Sequence, residues 1–210
     1  MEEPRDKIER ILESLLGQVT QGLLFFYCSR SLHAAFAREG IIKRSYLFYG
    51  AYLASTNEAI LAVARTAIAD SDSITIHYLL NYAENMPHLF SSDDHEIVRQ
   101  SVKEQKGRLE GFAPLIDSIR EQRDRVLAHL DRKHVNDPSA LFAHPEGVDM
   151  TGVGRYLIAI LDVVNFYAGF FNTEFDPRHL EAAIAGDIDI LVRWMSQYGK
   201  PEEWIRPPIF

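Results

Sequence analysis

At 210 residues the chain is long enough for one domain with a sizeable core, and its 47% apolar and 25% charged residues exclude a disordered protein. A net charge of −8 excludes a global basic field for gathering nucleic acid, so any such binding has to come from a local patch. The single cysteine, Cys28, excludes an intrachain disulfide and a cysteine metal cluster, and its place in the apolar run LLFFYC marks a buried thiol and a reducing, cytoplasmic compartment.

The first residues, MEEPRDKIERILESLL, lack the basic start and short apolar core of an export signal, and their acids suit the first turns of a helix. Ile8, Ile11, Leu12, Leu15, Leu16, Val19 and Leu23 recur at spacings of three and four, which predicts an amphipathic helix running to about residue 38. Gly40 supplies a stop. A second, alanine-rich helix is expected over 46–69, with Tyr46, Tyr49 and Tyr52 stepping along one side and Glu58 and Arg65 sharing a face one heptad apart.

Ser71, Asp72 and Ser73 all suit the N-cap of a shorter third helix, ITIHYLLNYAENM, which Pro87 ends. Ser92 or Asp93 can cap a fourth, whose middle is weakened by Gly107, Gly111 and Pro114, so a kink is expected between Gly111 and Pro114. The segment then continues to Leu130 or Asp131. Residues 133–152 carry Pro138, Pro145, Gly147 and Gly152 with little periodicity and read as a long loop. A fifth helix is expected over 153–172 and a sixth over 178–198, followed by a Pro-rich tail, 199–210. The most apolar window, 156–171, approaches the length of a short membrane span, but Asp162 and Asn165 interrupt it, so it reads as a core helix and no membrane partner is expected. There is no internal repeat and no credible strand pair. The expectation is a single all-α bundle of about six helices over 1–210, with its core at about 8–198.

No phosphate-binding loop, GxGxxG, HExxH, GxSxG or zinc-spaced Cys and His array is present, which removes many enzyme classes; no cofactor is expected. A metal site would have to draw on His129, Asp131, His134, Asp137 and His144, whose bland reading is a solvated helix end, and none is assigned. The remaining candidate is REQRDRVLAHLDRKH, residues 120–134. Five basic residues there (Arg120, Arg123, Arg125, Arg132, Lys133) outnumber three acids (Glu121, Asp124, Asp131) in an acidic chain. Continuing the period from Ile116 and Ile119 puts Arg123 on the apolar stripe, ahead of Leu127 and Leu130. A charge at such a position needs a partner, a ligand or an oligomer interface.

Arg123 and His129 suit metal-independent cleavage of RNA. A guanidinium neutralises the pentavalent phosphate, an imidazole moves a proton, and the ribose 2′-hydroxyl is a nucleophile that RNA itself supplies. Six residues rotate His129 about 120° from Arg123 on a regular helix. Both therefore serve one site only through the reach of Arg123, through a broken turn, or across the twofold axis of a homodimer. Arg125, four residues before His129, shares its face, so a plain intrahelical pair competes.

The run RDRVLAH also resembles the signature of HEPN domains, an Arg, a polar residue, a spacer and a His. The continuation AHLD and the earlier run ARTAIADSDSITIHYLL are similar to the abortive-infection, AbiU-like branch of that superfamily, and the likeness spans about residues 8–191. The resemblance implies a helical HEPN fold, usually dimeric, and often a metal-independent endoribonuclease acting in phage defence or as a toxin, with an antitoxin protein as a possible partner. Arg123 and His129 would be the catalytic pair and Asp124 the polar residue that orients them. Arg125, Arg132 and Lys133 would guide the RNA backbone. Some HEPN domains have lost catalysis, so the alternative is a helical module that binds a protein or nucleotide partner, in which an internal acid such as Glu58 or Asp162 holds Arg123. A small-molecule enzyme built on the Tyr-rich face of the second helix is a third reading.

Overall fold

A computed structural model describes residues 4–38, 46–68, 74–91, 94–130, 148–171, 176 and 178–198. These residues form seven α-helices in chain order: α1 (Pro4–Arg38), α2 (Tyr46–Ala67), α3 (Ile76–Asn85), α4 (His95–Glu110), α5 (Ala113–Leu130), α6 (Met150–Gly169) and α7 (Arg178–Tyr198), with a 3₁₀ turn at Pro87–Leu89. The architecture is the expected all-α bundle. Its spine is α1, 35 residues and about 50 Å long. The stripe Ile8, Ile11, Leu12, Leu15, Val19 and Leu23 is buried, and α1 packs along α2, α6 and α7.

Glycine sets how closely these helices approach. A Cβ on Gly22 of α1 would stand 2.7 Å from the Ala62 Cβ of α2 and 2.9 Å from a methyl of Leu157 on α6, so α1 comes close to α2 here and the Leu157 side chain fills the space a methyl would need. A Cβ on Gly154 of α6 would likewise collide with the ring of Phe26. Helix α6 is the window read above as a core helix, and twelve of its residues are buried. Asp162 points outward. By length and composition α1 is the one described helix long and apolar enough to cross a membrane, with its buried stripe turned into the bundle.

A second apolar cluster, Leu32, Ala35, Phe48, Tyr52, Leu53 and Val192, ties the end of α1 to the start of α2 and to α7. Tyr52 is buried there, edge-on to Phe36 with ring centroids 5.5 Å apart, while Tyr49 is exposed, so the two described tyrosines of the α2 series face different surroundings. The side chain of Tyr46 lies outside the described residues. Cys28 is half-buried rather than fully enclosed, and burial pushes its thiol pKa up.

Three boundaries differ from those expected. The cap of α3 is Thr75, whose Oγ1 accepts from the Tyr78 N–H at 3.4 Å; Thr75 is itself buried, so its hydroxyl needs a local partner. Ser71, Asp72 and Ser73 lie outside the described residues. The cap of α4 is Asp94, whose carboxylate accepts from the Ile97 N–H at 3.1 Å while its own N–H donates to Ser91 Oγ at 3.1 Å. Ser92 and Asp93, the expected caps, lie outside the described residues. Helix α6 begins at Met150, inside the expected loop, because the Val153 N–H already reaches the Asp149 carbonyl at 2.9 Å. The expected kink between Gly111 and Pro114 is a two-residue break between α4 and α5, and Pro114 sits in the first turn of α5, where a missing N–H costs nothing.

Candidate functional site

Helix α5 carries the candidate pair. It is α-helical without interruption from Ala113 to Leu130, so no turn breaks near Arg123. The side chains of Arg123, Asp124, Arg125 and His129 lie outside the described residues, and Arg132 and Lys133 lie outside them altogether. Asp131, His134, Asp137 and His144 are outside as well. Among the described residues no group of three or more His, Cys, Asp or Glu could hold a metal.

Helical register still separates the two candidates. Ile119 is 1% exposed and Ile116 half-buried, so one strip of α5 faces the bundle, where it packs on α2; at 100° per residue, position 123 continues that strip. Pro114, Leu115 and Ser118 lie on another strip, which forms one wall of an open cavity of about 540 Å³. Steps of four and three from 115 and 118 lead to 122, 125 and 129. Positions 125 and 129 therefore fall on the same strip of the helix as Leu115 and Ser118, and position 123 does not.

The opposite wall comes from α4 and α6. Arg108, Phe112, Asp149, Gly152 and Arg155 line it, and Phe112 is braced edge-on against Tyr156 at 5.3 Å. Arg108 donates to Asp162 at 2.7 Å, with both side chains about half exposed. Arg155 is held more loosely, 3.6 Å from Asp149 and 68% exposed. Thr151, Arg155, Ile158 and Asp162 form the exposed strip of α6, opposite its twelve buried residues. Asp162 therefore does more than interrupt an apolar window: it ties α6 to α4.

On the other side of that strip lies a second cavity, of about 640 Å³, between α1, α2 and α6. Phe26, Ser29, Arg30, His33, Tyr52, Met150, Gly154, Arg155 and others line it. Arg30 stacks over Phe26 and Tyr27, at 5.9 and 5.4 Å, and pairs with Glu181 of α7. The exposed His33 ring lies 5.9 Å from that of Tyr52. Arg155 borders both cavities.

Glu58 and Asp162, the carboxylates proposed to hold Arg123, are both engaged by other arginines. Glu58 accepts from Arg65 at 3.4 Å, the pair expected from their shared face, and Asp162 from Arg108. Neither is an internal acid, since both are substantially exposed.

The sequence pattern of the AbiU2 family of HEPN domains matches residues 5–189, nearly the whole chain. The chain belongs to the AbiU2 family. No curated protein and no solved structure matches it. The AbiU2 match covers all seven helices apart from the ends of α1 and α7, and it contains α5 entire. Membership suggests a HEPN-type function, often ribonuclease or abortive-infection activity. Sequence reading missed Arg30, His33, Arg108 and Arg155 within this AbiU2 chain. One signal was available: Arg155 and Asp162 are a heptad apart on the polar side of an otherwise apolar helix.

Proposed function

We propose that the protein is a metal-independent endoribonuclease of HEPN type, acting in phage defence or as a toxin component. The observation that carries this reading is the pairing of two facts. Residues 5–189 match a HEPN family, and within that span an unbroken α5 carries both an Arg and a His at HEPN spacing. In the reaction the 2′-hydroxyl oxygen attacks the adjacent phosphorus, its proton leaves to a base, and the 5′-oxygen departs with a proton from an acid. A 2′,3′-cyclic phosphate and a 5′-hydroxyl remain. His129 supplies acid or base assistance, Arg123 neutralises the extra charge on the phosphorane, Asp124 orients the pair, and Arg125, Arg132 and Lys133 guide the backbone.

Because α5 is continuous, positions 123 and 129 stay about 120° apart. This supports a homodimer in which the site draws on both chains, since a twofold axis crossing α5 at right angles near position 126 packs two copies antiparallel and brings position 123 of one protomer level with position 129 of its partner. An antitoxin protein is the partner expected to cover such a cleft.

Digestion of single-stranded RNA with EDTA present tests the reading. Cleavage with cyclic-phosphate ends is expected, lowered about 10²-fold or more in His129→Ala and in Arg123→Ala. Activity unchanged in both variants sinks it. Light scattering should give twice the chain mass, and mixing inactive His129→Ala with inactive Arg123→Ala should restore part of the activity if sites are shared between chains.

A further inference from the structure

The second cavity has no role in cleavage as described above, yet its chemistry is specific. Its walls combine an imidazole and an aromatic ring, His33 and Tyr52, tilted 35° to each other, with two guanidinium groups, Arg30 and Arg155, and the exposed Thr151, while the buried Ser29 hydroxyl is engaged by Thr56 at 2.7 Å. Its volume of about 640 Å³ lies in the ordinary range of small-molecule sites, about 300–1,000 Å³. Flat rings beside cations are the means by which proteins hold an unpaired base and its phosphate without reading its identity. The cavity is also built into the fold. Gly154, by lacking a Cβ, leaves room for the Phe26 ring that forms one wall, and Arg30 lies over that ring.

The acids nearby decide which cation is available. Arg30 is committed to Glu181 and to two aromatic rings, and Arg108 to Asp162. Among the described residues Arg155 pairs with Asp149 across a long, exposed contact, and such a pair is worth little and is readily exchanged for a phosphate. Arg155 also stands between the two cavities. The first cavity runs along the α5 strip that leads to positions 125 and 129, with Ser118 about 16 Å from position 129 along the helix axis. A short single strand spans that distance.

We propose that the cavity between α1, α2 and α6 is a nucleotide subsite for single-stranded RNA: it stacks an unpaired base on the exposed His33 ring, which Tyr52 backs, and Arg155 binds the phosphate that connects that nucleotide to the strand lying along α5. The proposal rests on the ribonuclease reading for the identity of its ligand. Arg155 and His33 are binding and positioning residues, remote from the reacting atoms. They set how tightly and in what register the strand lies, and leave the chemical step untouched.

The test uses full-length protein and a fluorescein-labelled ten-nucleotide single-stranded RNA, with binding followed by anisotropy and cleavage by gel. Arg155→Ala should weaken binding about tenfold and lower the salt slope by about one phosphate contact. His33→Ala should weaken it about fivefold with little change in salt slope. In cleavage both should raise KM and leave kcat within about twofold. Arg99→Ala, on an exposed face of α4 bordering neither cavity, removes the same charge and should behave as wild type. All three positions are exposed, and matched melting curves confirm that the variants fold.

Cleavage by wild type with Arg155→Ala and His33→Ala indistinguishable from Arg99→Ala overturns the subsite and leaves the ribonuclease reading standing. Absence of cleavage, with RNA binding that still depends on Arg155 and His33, overturns the ribonuclease reading and supports the subsite. A loss that appears only in kcat overturns the subsite, because it would place these residues in the chemical step.

Discussion

The seam where α1, α2 and α6 meet and the arm formed by α4 and α5 differ in how much of each helix they commit to the core. Twelve of the twenty residues of α6 are buried, and at Gly22 the Ala62 Cβ and the Leu157 side chain stand so close that no methyl group fits. In α4, Val98, Val102 and Leu109 are buried out of sixteen residues, and in the described side chains of α5 only Ile119 is. The seam holds its shape through packing. The arm instead keeps most of its surface polar, is interrupted at Gly111 and Phe112, and is tied to α6 by the exposed pair of Arg108 with Asp162. A site that receives a charged polymer needs both: a fixed wall, and a facing wall whose polar positions are not consumed by the core.

Core truncation should expose this difference most strongly. Leu157 is fully buried on α6 and touches the Gly22 contact, so Leu157→Ala should cost about 3–5 kcal/mol of unfolding free energy. Leu115, half-buried on α5 at the edge of the first cavity, should cost about 1 kcal/mol when cut to Ala. Urea midpoints at unchanged slope measure both. Equal losses would mean that the arm is packed as tightly as the seam.

Glycine substitutions should even change sign between the two regions. At Gly22 the added methyl meets the Ala62 Cβ, which cannot swing aside because it is fixed to the α2 backbone; Gly22→Ala should destabilise by about 1–3 kcal/mol despite the better helix propensity. Gly107 of α4 has nothing within 4 Å of where a Cβ would stand, so Gly107→Ala should stabilise by up to about 1 kcal/mol. Thermal melts of the two variants suffice, and a stabilised Gly22→Ala would refute the close approach.

Most of the fold was legible because it depends on periodicity. The stripe of α1, the break near Gly111 and the bounds of α7 follow from apolar spacing and from the places where Gly and Pro interrupt it. Caps were less legible. Ser71, Asp72, Ser73, Ser92 and Asp93 all have capping chemistry, and the choice of Thr75 and Asp94 is made by tertiary packing, which fixes the phase of Leu79 and Val98 in the core. The cavity residues were least legible of all. Arg30 and Arg155 lie 125 positions apart, and spacing within a helix says nothing about which polar residues of separate helices face each other. A motif on one helix, such as Arg123 with His129, can be read from a line of text, whereas a wall made of α1, α2 and α6 cannot.

The smallest effect should arise at the joint between the two regions, where α3 meets α4. Burial, and to a lesser degree the nearby Lys106 ammonium, hold the pKa of His77 below its ordinary value of 6.5; Glu84 pairs with Lys106 at 2.6 Å and keeps it there. The sign follows from proton uptake. As pH falls through 6.5 the unfolded chain protonates His77 while the folded chain resists, so the unfolded state binds more protons and the fold loses stability, down to the lower pKa of the folded state. Because the His77 side chain retains contact with solvent, the loss should be no more than about 0.5 kcal/mol. His77→Gln should remove that part of the pH slope. Lys106→Met should shrink it and move the imidazole titration, followed by NMR, back toward 6.5, whereas an unmoved titration would assign the whole depression to burial and separate the joint from the charge of the arm.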